Sequence, residues 1–179
     1  MTILNKINMA SRRLQRKPSL LDHDDVDKLY HHFLRMDADG NGVIDRDEFL
    51  GHPAIAENPL AARVMAMFDE DRGGTIDFGE FVQGMARFSG RASVESRLRF
   101  IFDVYDEDKD GFISNAELFR TLRLMTGGQM RPDQLQQVVD RTIRDIDLDG
   151  DGKVSFDEWM ATVGRKNEHL FLKLAISDL

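Results

Sequence analysis

Asp147-Leu-Asp-Gly-Asp-Gly-Lys-Val-Ser-Phe-Asp-Glu158 is a twelve-residue stretch in which oxygen donors recur at fixed intervals. Asp147, Asp149 and Asp151 hold positions 1, 3 and 5, each offering a carboxylate oxygen to one hard cation. Gly152, at position 6, stands where the chain must turn sharply and a Cβ would be crowded. Lys153, at position 7, contributes its backbone carbonyl, so its charged side chain is expected to point elsewhere. Ser155 at position 9 acts directly or through a water, and Glu158 at position 12 closes the shell with both oxygens. Val154, at position 8, is apolar and is predicted to face inward toward a partner loop.

The same arrangement occurs three more times. Asp37, Asp39, Asn41, Gly42, Val43, Asp45 and Glu48 form one copy; Asp69, Asp71, Gly73, Gly74, Thr75, Asp77 and Glu80 form the next. Asp106, Asp108, Asp110, Gly111, Phe112, Ser114 and Glu117 form the third. Position 8 is Ile44, Ile76, Ile113 and Val154 in turn. One acidic, glycine-containing loop can be a solvated turn, but four in-register copies between helical patterns are a repeat. The spacing is that of the EF-hand, whose loop supplies Ca2+ with six to eight oxygens. The predicted fold is therefore all-α: four EF-hands in two paired lobes, with short β bridges between paired loops, binding up to four Ca2+.

Composition narrows the alternatives. The chain has 179 residues, 41% hydrophobic and 31% charged, with net charge −8, which suits a folded protein of one domain or two small lobes. The acidic surface disfavours nucleic acid, whose phosphates would be repelled. There is no cysteine, hence no disulfide, thiolate zinc site or cysteine nucleophile, and a cytoplasmic location is expected. No apolar run approaches the roughly 20 residues that span a bilayer.

Five segments are predicted: a basic extension over 1–21, an N-terminal lobe over 22–88, a linker over 89–93, a C-terminal lobe over 94–164 and an apolar tail over 165–179. Lys6, Arg12, Arg13, Arg16 and Lys17 make residues 1–17 basic, with no acid among them. Three readings stand for this stretch: a solvated tail, a basic amphipathic helix making weak membrane contact, or an organelle presequence. Val26, Leu29, Tyr30 and Phe33 follow i, i+3, i+4, i+7 and enter the first loop on one helix face. Phe49 and Leu50 begin a short exit helix that Pro53 should stop. Asn58-Pro59 reads as N-cap and first residue of the next helix, with Leu60, Val64, Met67 and Phe68 inward. Phe78, Phe81, Val82 and Met85 leave the second loop.

The second half repeats the plan. Leu98, Ile101, Phe102 and Tyr105 enter the third loop, and Leu118, Phe119, Leu122 and Met125 leave it. Gly127-Gly128 ends that helix, because glycine tolerates the left-handed cap. Leu135, Val138, Val139, Thr142, Ile143 and Ile146 enter the fourth loop; Phe156, Trp159, Met160 and Val163 leave it.

The segments between the loops carry a resemblance. Asn58-Pro-Leu-Ala-Ala-Arg-Val, Phe68-Asp, Ile76-Asp-Phe and Glu80-Phe-Val are similar to the calcineurin B family. So are Leu98-Arg-Phe-Ile-Phe, Tyr105-Asp-Glu-Asp-Lys-Asp-Gly, Ile113-Ser-Asn-Ala-Glu-Leu-Phe and Gln134-Leu-Gln-Gln-Val-Val-Asp-Arg-Thr-Ile. The resemblance covers about residues 22–164. It implies a non-catalytic regulatory subunit that wraps an amphipathic helix of a serine/threonine phosphatase catalytic subunit, calcineurin A-like, and confers calcium dependence. It also implies a docking role, for substrates and for immunophilin–drug complexes, at the positions here held by Gln129, Met130 and Arg131. The family commonly starts Met-Gly and is myristoylated; this sequence starts Met1-Thr2, a start from which myristoylation is not expected. The tail from Arg165 to Leu179 has no clear counterpart in the family.

Apolar residues recur on both flanks of nearly every loop, beyond what a small lobe needs for its own core. The expected partner groove is lined by Phe49, Met67, Met85, Leu118, Leu122, Met125 and Met160. It would hold one long amphipathic helix, with the apolar tail as the rival occupant. A related sensor for an exchanger or a kinase, and a calcium buffer with no target, are the competing functions. An enzyme is disfavoured: there is no phosphate loop, no nucleophile elbow and no His-Glu-x-x-His pair.

Overall fold

The computed structural model describes residues 23–87 and 92–162. The expectations for residues 1–17, for the tail from Arg165, and for most of the linker lie outside these residues. The chain groups into two compact units that divide at Ser93 and Val94, with Asn58–Leu60 counted in the second.

In the first unit the order is α1 (His23–Met36), β1 (Val43–Ile44), α2 (Arg46–Gly51), α3 (Ala61–Phe68), β2 (Ile76–Asp77) and α4 (Phe78–Ala86). Helix α1 has Asp24 and Asp25 in its first turn and Arg35 in its last, matching the helix dipole. Of the four residues that the spacing puts on one face, Val26, Tyr30 and Phe33 are buried and Leu29 is half-buried, and Met36 joins the buried set. Helix α2 stops at Gly51, with His52 as its cap, directly before Pro53. Helix α3 begins at Ala61 rather than at Pro59. The Asn58 side chain accepts the Leu60 N–H at 2.9 Å and closes a short turn that leaves Pro59 and Leu60 ahead of the helix. Its buried face is Ala61, Val64, Met65 and Phe68, a strict i, i+3, i+4, i+7 set that takes Met65 inward and leaves Met67 half-buried. Helix ends meet through aromatic rings: Tyr30 and Phe33 lie edge-on to Phe78 at 5.0 and 5.4 Å, and Phe68 lies 6.1 Å from both Phe49 and Phe81.

In the second unit α5 (Val94–Tyr105), β3 (Phe112–Ile113), α6 (Asn115–Met125), α7 (Pro132–Ile146), β4 (Val154–Ser155) and α8 (Phe156–Thr162) follow the same plan. Leu98, Ile101, Phe102, Tyr105, Ile113, Leu118, Val139, Ile143, Val154, Phe156 and Trp159 form one buried cluster. Helix α6 ends as predicted. Gly127 and Gly128 take φ of 57° and 69°, and their N–H groups donate to the Leu124 and Arg123 carbonyls at 3.0 and 3.1 Å.

The position-8 residues bridge the loops of each unit. Ile44 pairs with Ile76 and Ile113 with Val154, in antiparallel register, and all four are buried. The all-α expectation, with two lobes of paired hands and short β bridges, is what the chain adopts.

Candidate calcium sites

All four loops close around the same skeleton of hydrogen bonds. The position-6 glycine donates its N–H to one oxygen of the position-1 aspartate: Gly42 to Asp37 at 3.0 Å, Gly74 to Asp69 at 2.9 Å, Gly111 to Asp106 at 3.0 Å and Gly152 to Asp147 at 2.9 Å. Each of these glycines has a positive φ, between 83° and 93°, which a Cβ would strain. The position-3 aspartates accept the N–H two residues on: Asn41 to Asp39 at 2.9 Å, Gly73 to Asp71 at 2.8 Å, Asp110 to Asp108 at 3.0 Å and Asp151 to Asp149 at 3.1 Å.

The position-12 glutamate ties each loop to its exit helix. Glu117 Oε1 accepts the Glu107 and Asp108 N–H groups at 2.8 and 3.3 Å, while Oε2 accepts the Ser114 N–H at 2.8 Å and its hydroxyl at 2.6 Å. Glu48, Glu80 and Glu158 accept the corresponding N–H groups of their own loops. In return Asp45, Asp77 and Ser114 cap helices α2, α4 and α6 in capping boxes. One glutamate thus fixes the helix start and aims a carboxylate into the loop, a double role that the loop spacing alone does not reveal.

The outcome is convergence of like charge. Ligand atoms of Asp37, Asp39 and Glu48 lie within 4.8 Å of one another, as do those of Asp69, Asp71 and Glu80, of Asp106, Asp108 and Glu117, and of Asp147, Asp149 and Glu158. Asp110 and Asp151, at position 5, stand outside these sets; they and Asn41 each accept their loop's position-7 N–H, from Phe112, Lys153 and Val43, at 2.8–2.9 Å. The carbonyls of Val43, Thr75, Phe112 and Lys153 remain the expected position-7 donors. Gly73, at position 5 of the second loop, has no side-chain oxygen to offer.

Two buried oxygens carry the test of fit. Asp37 Oδ1 and Asp106 Oδ1 are buried and have no hydrogen-bond donor. A carboxylate oxygen in that position is costly unless a cation meets it. Burial pushes the Asp106 carboxyl above its ordinary value and the Glu117 charge adds to this, against the Gly111 N–H. Burial also works on Glu117, but the Ser114 hydroxyl and N–H and the Asp108 and Glu107 N–H groups outweigh it and hold that carboxyl below its usual range. Glu158 is held low in the same way by Ser155, Leu148 and Asp149. A hard divalent cation with many oxygen ligands is what such a set accommodates, and Ca2+ fits it.

Comparison with known proteins agrees. The family described as "EF-hand domain pair" matches residues 95–161, and that described as "EF hand" matches residues 31–50. The chain is 46% identical over 151 residues to the calcineurin B protein of Yarrowia lipolytica, covering 84% of this chain and 87% of that protein. It is 44% identical over 149 residues to the calcineurin B protein of Schizosaccharomyces pombe, covering 83% and 86%. It is 45% identical over 148 residues to the type 2 calcineurin B protein of Rattus norvegicus, covering 83% and 84%. This chain belongs to the calcineurin B family. It is a calcium-binding EF-hand protein, and its four acidic loop clusters fit Ca2+. No described helix is long and apolar enough to cross a membrane.

The groove expectation needs correction at two residues. Phe49 and Leu118 are 1% and 5% exposed and belong to the cores, not to an open groove. Each directly follows a position-12 glutamate, as do Phe81 and Trp159, and all four are buried. With the glutamate aimed into the loop, the next residue is rotated by about 100° on the helix and points into the unit. Met67, Met85, Leu122, Met125 and Met160 are half-buried, with Leu122 and Met160 packed against the second core. Gln129, Met130 and Arg131 are exposed in the turn between α6 and α7, where Arg131 pairs with Asp133 at 3.2 Å. Leu124 and Val138, not among the expected groove residues, are 46% and 43% exposed. The Lys153 side chain, expected to point elsewhere than its own loop's ion site, reaches Asp110 of the third loop at 3.1 Å, a contact the single-loop reading did not include. The position-8 pairing that brings Ile113 to Val154 is the sequence signal that would have located it.

Proposed function

We propose that this chain is the non-catalytic regulatory subunit of a serine/threonine phosphatase, holding an amphipathic helix of the catalytic subunit and making its activity depend on calcium. Family membership is the observation that carries the reading. It is supported by apolar side chains on α6 and α7 that the second unit does not fully cover. Leu124 and Val138 are exposed, and Leu122 and Met125 are half-buried beside Leu124 in sequence. Side chains of that kind on a small acidic protein favour a lasting partner over a free buffer. Met67, Met85 and Met160 remain candidate contacts, and Gln129, Met130 and Arg131 candidate docking residues for substrates or an immunophilin–drug complex. A cytoplasmic location accords with this role.

Co-expression with a calcineurin A-like catalytic subunit tests it. The expected result is a complex that survives gel filtration, and loss of that complex in Leu122→Asp combined with Met125→Asp. A double variant that still binds, or a wild-type chain that elutes alone with calcium present, would overturn the reading.

A further inference from the structure

A cation of the protein's own stands at the edge of the third loop. Lys153 Nζ lies 3.1 Å from Asp110 Oδ2 and 5.2 Å from the centre of the Phe112 ring. Asp110 is the position-5 carboxylate of the third loop, Phe112 is its position-7 residue, and Lys153 is position 7 of the fourth. The β bridge sets Phe112 opposite Ser155 and Ile113 opposite Val154, so Lys153 stands diagonally across from Phe112 and its long side chain reaches Asp110 just ahead of β3. Asp110 Oδ1 is engaged by the Phe112 N–H at 2.9 Å, which leaves Oδ2, the oxygen that Lys153 holds, as the freer of the two.

We propose that Lys153 sets the calcium affinity of the third loop by competing, as a tethered ammonium, for the Asp110 carboxylate. The proposal deepens the calcium-site reading and rests on it. Calcium in the third loop needs Asp110 to turn from Lys153 to the ion, and it then leaves a positive charge beside a divalent cation. Both effects weaken binding. The pair is partly exposed, with side chains 44% and 40% accessible, so the effect belongs to the range of a surface ion pair and is screened by salt. In affinity that range corresponds to about two- to fivefold. No other loop has such a partner at position 5: Asn41 and Gly73 carry no charge, and among the described residues no ion pair reaches Asp151.

The test is a calcium titration of the full chain followed at the Gly111 backbone amide, which reports the third loop through its bond to Asp106. In Lys153→Gln the third-loop Kd should fall about two- to fivefold at low salt, with the ratio to wild type closing toward one near 1 M KCl. Lys153→Arg, which keeps the charge, should behave as wild type. An unchanged Kd in Lys153→Gln at low salt overturns the proposal, as does Lys153→Arg binding as tightly as Lys153→Gln. If the Gly111 amide of the wild-type chain ignores calcium altogether, the calcium reading of the third loop fails first and the proposal fails with it.

Discussion

Gly84, inside α4, lies against the Phe68 ring so closely that a Cβ there would stand 2.3 Å from Phe68 Cδ1 and Cε1. The ring cannot swing clear, because it is buried and neighboured by Phe49 and Phe81. Gly84→Ala should therefore destabilise the first unit. Overpacking costs about 1–3 kcal/mol, against up to about 1 kcal/mol that alanine regains over glycine in a helix. Urea unfolding of the calcium-free protein should show a net loss of about 1–2 kcal/mol. Adding Phe68→Leu to Gly84→Ala should cost less than the two single effects together, because the smaller side chain relieves the clash.

Asp106 offers a separation of stability from binding. Its Oδ1 is buried without a donor, and its carboxyl is pushed up first by burial and further by the Glu117 charge. Asp106→Asn removes the charge and keeps the shape. Without calcium the variant should melt higher than wild type; with calcium it should gain less, since the third loop has lost a ligand. The sign with pH follows from the raised value. In wild type the penalty is fully present above the folded-state pKa and vanishes as pH falls and the group protonates. The advantage of Asp106→Asn should thus shrink on acidification. Glu117 and Glu158, held low by their N–H and hydroxyl donors, act oppositely: the stability they contribute is lost only as pH falls through their lowered values. Calorimetric scans from neutral to acid pH, in chelator, check both signs.

Arg72 stands at position 4 of the second loop with φ of 60°, where the first and fourth loops have Gly40 and Gly150 at 71° and 81°. A side chain in the left-handed region costs about 1–2 kcal/mol, and glycine returns about 0.5–1 kcal/mol of that through the entropy of the unfolded chain. Arg72→Gly should raise the calcium-free stability of the first unit by up to about 1 kcal/mol, measured by urea unfolding.

The loops, their register and the helices around them were legible because each depends on residues close in sequence. Position 8 had to be apolar to bridge, and Ile44, Ile76, Ile113 and Val154 do so. What the pattern missed depends on contacts across the fold. The start of α3 turned on one side-chain hydrogen bond from Leu60 to Asn58. Periodicity marks a helix face but not what covers it, so Phe49 and Leu118 read as groove residues although rings and helices of their own units bury them. The Lys153 side chain was placed by the partner loop, which single-loop reasoning leaves out.

The second loop should be the weakest calcium site. Gly73 fills position 5 with hydrogen; its N–H donates to Oδ1 of the position-3 Asp71 at 2.8 Å, as the position-5 N–H does in every loop, and in addition to Asp69 Oδ1 at 2.8 Å. These are oxygens that calcium would otherwise share, and the first loop has Asn41 where the second has none. The third and fourth loops bring carboxylates at positions 1, 3, 5 and 12, and should fall in or above the sensor range, roughly 10⁻⁷–10⁻⁵ M. Calorimetric titration of Glu80→Gln should lose the weakest binding event and leave the tight ones in place, whereas Glu158→Gln should lose a tight one. Gly73→Asp should strengthen the second loop, because its φ is not in the left-handed region and the nearest obstacle to a Cβ is the movable Asp71 carboxylate at 2.8 Å. If Glu80→Gln instead removes the tightest event, Asp77 and backbone donors compensate for the missing oxygen and the ranking by position-5 chemistry is wrong.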